Sequence, residues 1–445
     1  MTGTPPVRPQ EARPPVDFGE FVRTAGGHGR LVVQPRMGFG DPEKMREGLA
    51  ATKAAEATTV GTLTLDSYTR VGDLEAVESA LRRGIDLNGY PVVTHPPATT
   101  AAVLDGLRDD TFPVQIRHGS ATPIDIFWAM MRLRLNATEG GPVSYCLPYG
   151  RTPLADAVRN WAGCCELFAR LREVGIEPHL ETFGGCMMGQ LCPPSQLVAI
   201  SLLEAMFFAQ HGIRSLSLSY AQQTDMRQDQ EAVAALRRLC AELLPTRNWH
   251  IVIYAYMGVY PETSRGAYGL LARAAELAVT SGAERLIVKT AAEARRIPTV
   301  YENVLALEYA AHSARVAARQ ETPDAAGIPA DSQTYLEARA LVEAVLGLDA
   351  DLGRALLTAF RRGYLDVPYC VHPDNAGRTR SRIDSDGRLR WTDIGNLPLA
   401  KIAELGQSRR ITSADLMNDL YHVRRTFDEP PQELGEPITA QLVHD

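Results

Sequence analysis

Three arginines each follow an apolar, β-branched stretch in the first third of the chain. They are Arg36 in LVVQPRMGFG, Arg70 in TVGTLTLDSYTR and Arg117 in FPVQIRHG. A guanidinium can hold a carboxylate through two parallel hydrogen bonds, each contributing roughly 1.5–3 kcal/mol. If the three arginines share one cavity, anions must offset their repulsion, and a dicarboxylate would do this well. The alternative is structural, because Asp66 and Glu139 are available as internal ion-pair partners.

A carboxylate and two phenols follow a further candidate strand. In NATEGGPVSYCLPYGRTP, Glu139 precedes two glycines, and Tyr145 and Tyr149 come shortly after. The carboxylate could hold a substrate ammonium or accept a proton, and the glycines let the backbone approach a ligand closely. Together with the arginines, this pattern indicates an acidic amino acid as ligand. The alternative is a glycine-rich turn with two packing tyrosines.

Lys289 ends another apolar stretch, RLIVKTAAEARRIPT, with Glu293 four residues later. A buried lysine there could form a Schiff base, hydrogen-bond a cofactor hydroxyl or pair with Glu293, and the spacing does not separate these roles. No metal site is predicted, because His118 has no partner at ligand spacing and the pair Cys186 and Cys192 lacks a second pair. A phosphate-binding loop of the G-x-x-x-x-G-K-[ST] type is absent from the sequence.

The elements that must position these residues alternate between short apolar stretches and segments with helical spacing. Repeated β–α units predict parallel strands with crossover helices. We predict a closed (β/α)8 barrel of the TIM type, with an open doubly wound sheet as second choice. All strands of such a barrel end at one mouth. Nine strand candidates compete for eight places, so at least one lies outside the wall: 31–35, 59–65, 91–94, 113–117, 135–139, 179–183, 215–220, 250–256 and 285–289.

Beyond residue 298 the pattern changes. Two helical stretches, 298–319 and 332–362, precede a segment rich in Pro, Gly and Asp at 365–399, which predicts a smaller C-terminal α+β appendage. The predicted divisions are a disordered proline-rich N-terminus at 1–20, a catalytic barrel at 21–320, and a helical and α+β C-terminal region at 321–445.

Composition excludes several classes of protein. Hydrophobic residues make up 45% and charged residues 22%, as in an ordinary globular protein, and the net charge of −7 gives no support to nucleic-acid binding. No apolar stretch is long enough to span a membrane, and the N-terminus has no signal-peptide core. The seven cysteines show no repeated spacing. Reduced thiols in the cytoplasm are therefore expected.

A series of ordered motifs carries a resemblance to a known family. They are QPRMG, DSYTR, LNGYP, QIRHG, TEGGPVSYCLPY, LCPPS, YMGVYP, IVKTAAEARRIPT and NAG...IGNLP, spread in this order over about residues 30 to 400. These stretches resemble the large (epsilon) subunit of glutamate mutase, also called methylaspartate mutase.

The resemblance implies an isomerase that interconverts L-glutamate and (2S,3S)-3-methylaspartate with adenosylcobalamin as cofactor. A radical derived from the cofactor takes hydrogen from C4 of the substrate, which then fragments and recombines. The family's large subunit is a (β/α)8 barrel, expected as a homodimer within a heterotetramer. A separate small subunit with the signature D-x-H-x-x-G holds most of the cobalamin. None of the ten histidines here lies in that signature, so this chain is expected to need such a partner.

The resemblance also assigns roles to individual residues. The substrate-binding residues would be Arg36, Arg70, Arg117, His118, Glu139, Tyr145 and Tyr149. Among them Glu139 would contact the substrate amino group and serve as the catalytic residue. The cofactor-binding residues would be Gly38, Asn88, Pro148, Tyr260, Lys289, Glu293 and Ile297. Tyr260 stands where the family commonly has phenylalanine.

Two other functions stay open from the residues alone. One is a Schiff-base aldolase that uses Lys289, and the other is a non-catalytic barrel that binds a dicarboxylate. Borohydride trapping would favour the first, and glutamate binding without turnover would favour the second. The resemblance assigns Lys289 to the cofactor instead.

Overall fold

The computed structural model describes residues 15–26, 30–148, 150–183, 191–320, 327–406 and 411–429. Within these residues, eight parallel strands form the centre of the molecule. They are β1 (Val32–Gln34), β2 (Gly61–Thr64), β3 (Val114–Arg117), β4 (Ala137–Gly140), β5 (His179–Thr182), β6 (Ser215–Ala221), β7 (Trp249–Tyr254) and β8 (Arg285–Ile287).

The strands follow one another around a barrel. Each strand from β2 to β7 pairs in parallel with the next in sequence, and β8 pairs with β1. The ring closes where Val33 forms a parallel bridge with Thr59, just before β2. Beyond the bridge, the Thr64 N–H donates to the Met37 carbonyl at 2.9 Å. The predicted (β/α)8 barrel is confirmed.

The strand candidate that lies outside the wall is 91–94. This segment forms a turn, in which the Pro91 carbonyl accepts hydrogen bonds from the N–H groups of Thr94 at 3.1 Å and His95 at 3.0 Å. Proline has no N–H to give to a strand ladder, which disfavours a place within the wall. The turn lies beside the end of β2, because the preceding Tyr90 N–H donates to the Thr64 carbonyl at 2.8 Å.

Helices surround the barrel, and polar side chains begin many of them. The Asp41 carboxylate, for example, accepts the N–H of Lys44 at 2.8 Å and caps α2, whose first residue is Pro42. The described α-helices are α1 (Phe18–Ala25), α2 (Pro42–Ala54), α3 (Ser67–Val71), α4 (Leu74–Arg82), α5 (Pro97–Leu104), α6 (Ile124–Leu133), α7 (Leu154–Ala169), α8 (Pro194–Gln210), α9 (Met226–Leu243), α10 (Ser264–Thr280), α11 (Val300–Arg319), α12 (Gln333–Leu346), α13 (Leu352–Arg362), α14 (Ser413–Leu420) and α15 (His422–Asp428). None of them is long and apolar enough to cross a membrane.

The helical stretch predicted at 332–362 is two helices, α12 and α13. Gly347 ends the first, and the Asp351 carboxylate caps the second by accepting the Arg354 N–H at 2.8 Å. Helical spacing continues across the break because both helices bury an apolar face, so periodicity alone did not mark it.

The first helix, α1, covers the amino-terminal end of the barrel, opposite the mouth. Its Phe18 is fully buried, and the ring centroid lies 5.0 Å from the guanidinium carbon of Arg285 and 5.0 Å from the ring centroid of His179. Residues 1–14 of the predicted disordered terminus lie outside the described residues, and α1 begins at Phe18.

The C-terminal region packs on the outside of the barrel helices. Glu337 of α12 accepts hydrogen bonds from Ser195 of α8 at 2.6 Å and from the indole of Trp391 at 3.2 Å. Trp391 belongs to a two-stranded antiparallel sheet, β9 (Arg380–Ile383) and β10 (Leu389–Asp393). One continuous hydrophobic core includes residues of the barrel and of this region.

Candidate active site

The three arginines lie at the mouth of the barrel, but only two are at the end of a strand or close behind it. Arg117 is the last residue of β3, and Arg36 comes two residues after β1. Arg70 lies instead in the short helix α3, whose N-cap is Asp66. The predicted strand-end position of Arg70 is therefore wrong, because Asp66 turns the chain into a helix at the end of β2. The Arg70 side chain lies against Gly119, two residues after Arg117.

Arg117 and Glu139 form a buried ion pair at this mouth. Their side chains are 5% and 2% exposed, and Nε of Arg117 is 3.0 Å from Oε2 of Glu139. The Tyr145 hydroxyl donates to the other oxygen of Glu139. Within the described residues, Nε of Arg117 has no hydrogen-bond partner, so its contact with Glu139 is an ion pair and not a well-aligned hydrogen bond. The two terminal nitrogens are the part of a guanidinium that can grip a ligand carboxylate through parallel hydrogen bonds.

Both Arg36 and Arg117 thus have protein carboxylates as partners. Arg36 pairs with Glu293 at 2.7 Å, and Asp66 is occupied in capping α3. Only the pair of Arg117 with Glu139 is one that the structural alternative named, because the partner of Arg36 is Glu293 rather than Asp66. A ligand carboxylate at either site would share the guanidinium with Glu139 or Glu293 rather than meet an uncompensated charge.

His118 is a buried neutral histidine next to Arg117. Its Nδ1 accepts the Ser120 N–H at 3.0 Å, and its ring stacks on Trp161 with 5.8 Å between centroids. Burial, assisted by the charge of Arg117, lowers the pKa of His118 to about 3. Since Nδ1 accepts, the proton of the neutral ring is on Nε2. That N–H has no acceptor in the part of the chain that the structure describes, which leaves one donor for a ligand.

Five of the seven predicted cofactor-binding residues line one cavity of about 610 Å³ with Arg36: Gly38, Asn88, Lys289, Glu293 and Ile297. This volume is typical of sites for small molecules and cofactors, which measure about 300–1,000 Å³. A sixth, Tyr260, is buried next to the cavity, with its ring centroid 4.2 Å from Nζ of Lys289. Pro148 is half-buried at the end of the turn after β4, and Tyr149 lies outside the described residues.

Lys289 does not pair with Glu293. Among the described residues no carboxylate lies within 4.0 Å of its Nζ, and Glu293 instead pairs with Arg36 and accepts the Thr290 N–H at 3.0 Å. Burial and the neighbouring Arg36 lower the pKa of Lys289 to about 8, although Glu293 opposes the shift. A neutral fraction of this kind would suit a Schiff base, and a charged fraction would suit a hydrogen bond to a ligand oxygen.

A model of one protein family, described as methylaspartate mutase E chain (MutE), matches residues 14–417 of this sequence. The chain belongs to the methylaspartate mutase E chain family. As a member of this family it is an isomerase of the mutase class.

Curated relatives agree with the family assignment. The chain is 30% identical to the glutamate mutase epsilon subunit of Escherichia coli O157:H7 over 397 residues, which are 86% of this chain and 81% of that protein. It is 29% identical to the subunit of the same name from Yersinia enterocolitica over 400 residues, covering 86% and 82% of the two chains. With that from Haloarcula marismortui it is 31% identical over 392 residues, covering 85% and 79%.

Below the mouth of this mutase, a buried polar layer fills the barrel, and sequence reasoning missed it. The Tyr254 hydroxyl of β7 lies 2.6 Å from Oε2 of Glu139 and also contacts Glu181 of β5. Glu181 in turn pairs with Arg285 at the start of β8. Because the hydroxyl has a single proton, it can donate to only one carboxylate at a time. The signal in the sequence was a charged residue inside each of the apolar stretches HLETF and ERLIVK.

Two histidines at the base of this layer are held neutral. His179 and His250 are fully buried and stacked, with 5.2 Å between ring centroids. Burial and the charge of Arg285 hold the pKa of both far below the usual 6.5. In the unfolded chain both would titrate near 6.5. The stability contributed by each neutral histidine is therefore complete above pH 6.5 and is lost as the pH falls below that value.

This linkage predicts a pH-dependent difference between the wild type and His250→Gln. Below pH 6.5 the wild type loses up to about 1.4 kcal/mol per pH unit through His250, and the variant does not. The free energy of unfolding should be measured in urea for both proteins from pH 8 to pH 5. The gap, which is the free energy of unfolding of the wild type minus that of the variant, should narrow at this rate below pH 6.5. A gap that stays constant with pH would mean that His250 is protonated in the folded protein.

Proposed function

We propose that this chain is the catalytic subunit of an adenosylcobalamin-dependent glutamate mutase that interconverts L-glutamate and (2S,3S)-3-methylaspartate. The observation that carries the proposal is the buried cluster of Arg117, Glu139 and Tyr145 at the mouth of a barrel in this family. It offers a guanidinium for a carboxylate and a carboxylate for an ammonium.

In this proposal the chain's own groups hold the substrate. Arg117, Arg70 and Arg36 would bind its two carboxylates, because planar guanidinium groups match carboxylates better than ammonium groups do. Glu139 would hold the substrate ammonium and could accept a proton from it. His118 would add its buried Nε2–H as a neutral donor, and Tyr145 would keep the Glu139 carboxylate in place.

The cavity beside Arg36 would hold the adenosyl part of the cofactor. The residues fit such a group. Lys289 offers a nearly buried ammonium that forms no ion pair with a carboxylate among the described residues, and the Asn88 amide also lines the cavity. The remaining contacts to the cofactor would come from Tyr260, Gly38, Glu293, Ile297 and Pro148. When bound, the cofactor supplies the radical that removes hydrogen from the substrate. The barrel's part is to exclude water and to orient the substrate.

A partner is part of the proposal. The relatives are named epsilon subunits, which supports a second subunit in this enzyme too. We propose a small cobalamin-binding protein with the signature D-x-H-x-x-G, joined to a homodimer of this chain in a heterotetramer. Ile297 lines the cavity and is 52% exposed, which suits a cofactor that is held mostly from outside.

Reconstitution tests the function. The full chain should form 3-methylaspartate from L-glutamate, detected by proton NMR, only when the small subunit and adenosylcobalamin are both present. Glutamate binding without product in the complete mixture would indicate the non-catalytic barrel instead.

Lys289→Arg separates the mutase from the aldolase. The variant keeps the positive charge but has no amine to form a Schiff base, so a mutase should retain turnover and need several-fold more cofactor for half-maximal rate. Complete loss of activity, together with trapping of the wild-type lysine by borohydride, would favour the aldolase.

A further inference from the structure

Glu204 is a buried carboxyl group on α8 that holds the turn after β4. Its Oε1 accepts hydrogen bonds from the N–H groups of Val143 and Ser144, both at 2.9 Å, and from the Ser144 hydroxyl at 3.1 Å. The residue is 0% exposed. Its Oε2 has no hydrogen-bond partner among the described residues. Every hydrogen bond that Glu204 makes there therefore goes to this turn.

The same turn connects Glu139 to Tyr145. Gly140 has a φ of 136°, and a Cβ at this position would overlap the tryptophan ring of α7. A Cβ at Gly141 would overlap the carboxylate of Glu204. The Tyr145 N–H then donates to the Gly141 carbonyl at 3.2 Å. The backbone at 140–141 therefore packs closely against α7 and α8. Glu204 of α8 holds the middle of the turn, at 143–144, through its hydrogen bonds.

We propose that Glu204 is a positioning residue, which fixes the turn at 143–144 and thereby sets where the Tyr145 hydroxyl meets the Glu139 carboxylate. The anchoring is independent of the reaction, but its effect on turnover rests on the proposed function. Glu204 acts through the turn, because all of its hydrogen bonds within the described residues end on Val143 and Ser144.

To hold the turn, the side chain at position 204 needs an acceptor oxygen where Oε1 of Glu204 lies. Burial raises the pKa of Glu204 to about 7, while its hydrogen bonds to Ser144 and Val143 oppose the shift. Both protonation states keep Oε1 as an acceptor. Glutamine would also keep this oxygen, and its amide nitrogen would replace the oxygen that has no partner in the described structure. Leucine has a similar size but removes the acceptor.

Hydrogen exchange tests the anchor without any assay of activity. In the full chain, the amides of Val143 and Ser144 should exchange at similar rates in the wild type and Glu204→Gln. In Glu204→Leu they should exchange at least roughly tenfold faster, because the bonds that protect them are lost. Equal protection of both amides in all three proteins would overturn the proposal.

Steady-state kinetics in the reconstituted enzyme test the consequence. Glu204→Leu should lower kcat/KM for L-glutamate at least tenfold, and Glu204→Gln should stay within threefold of the wild type. Equal losses in the two variants would mean that Glu204 acts in some other way. If Glu204→Leu does not fold, Gly141→Ala disturbs the same contact and should give the same exchange and kinetic changes.

A double variant separates positioning from general support of the core. If Glu204 acts through Tyr145, the effects of the two changes should not multiply. The double variant Glu204→Leu/Tyr145→Phe should then have a kcat/KM less than threefold below that of the more damaging single variant. Effects that multiply would overturn the proposal. Should the wild type lack mutase activity altogether, the proposed function fails, whereas the exchange result still decides whether Glu204 anchors the turn.

Discussion

Arg117→Lys should lower kcat/KM for L-glutamate by about 10²–10⁴-fold, because two charge-assisted hydrogen bonds to a substrate carboxylate, each about 1.5–3 kcal/mol, are lost. Arg117 is 4% exposed, and its guanidinium lies 5.0 Å from the ring centroid of Tyr254 and 5.8 Å from that of Phe183. A lysine in this enclosed place has one ammonium and no planar fork. Burial would also favour its neutral form.

The matched control for this variant is Arg237→Lys on the outer helix α9. Arg237 pairs with Glu284 through both terminal nitrogens, at 3.2 Å each, but it lies outside the barrel. Its kcat/KM should stay within about twofold of the wild type. Normal kinetics in Arg117→Lys, with both variants folded by circular dichroism, would remove Arg117 from the substrate site.

Glu139→Gln should reduce kcat for L-glutamate by about 10–100-fold, since one charged hydrogen bond to the substrate ammonium becomes a neutral one. Each oxygen of its carboxylate lies against one phenol, Tyr145 or Tyr254, so the hydroxyl that faces the new amide nitrogen must turn to accept. The variant also leaves the buried Arg117 without its carboxylate partner. We expect the free energy of unfolding to fall by a few kcal/mol while the protein remains folded.

Glu337→Gln provides the control for a buried carboxyl outside the site. Glu337 is 6% exposed and accepts hydrogen bonds from Ser195, Gln333 and Trp391 on the outside of the barrel. It should lose stability without losing kcat. An unchanged kcat in Glu139→Gln, measured with saturating glutamate and cofactor, would exclude a catalytic role for Glu139.

The barrel was predictable because its strands are short, apolar and regularly separated by helices. Eight of the nine candidates are strands, and the ninth, 91–94, is equally apolar but begins with a proline. The split of 332–362 into two helices was harder, since the apolar spacing runs on and only Gly347 and the capping Asp351 mark the break.

Parts of the candidate site were predictable from the type of a single residue and its position at the end of a strand. Arg117 and Glu139 meet because β3 and β4 are neighbours in a parallel wall. The pairing of Glu293 with Arg36 was not predictable, because it joins residues 257 positions apart. The role of Glu204 was not predictable for the same reason, because its hydrogen bonds join α8 to the turn after β4, which is distant along the chain.

By itself, the sequence determined the class of the fold and the chemistry on offer: parallel strands, arginines and a glutamate at one mouth, and a family in which these motifs occur in one order. Only the tertiary structure decided which charges neutralise one another, that Arg70 belongs to a helix, and that Tyr254, Glu181 and Arg285 continue the polar layer into the barrel. The physical reason is that strand and helix patterns arise from neighbours along the chain. Ion pairs and buried hydrogen bonds depend instead on which strands the closed wall brings side by side.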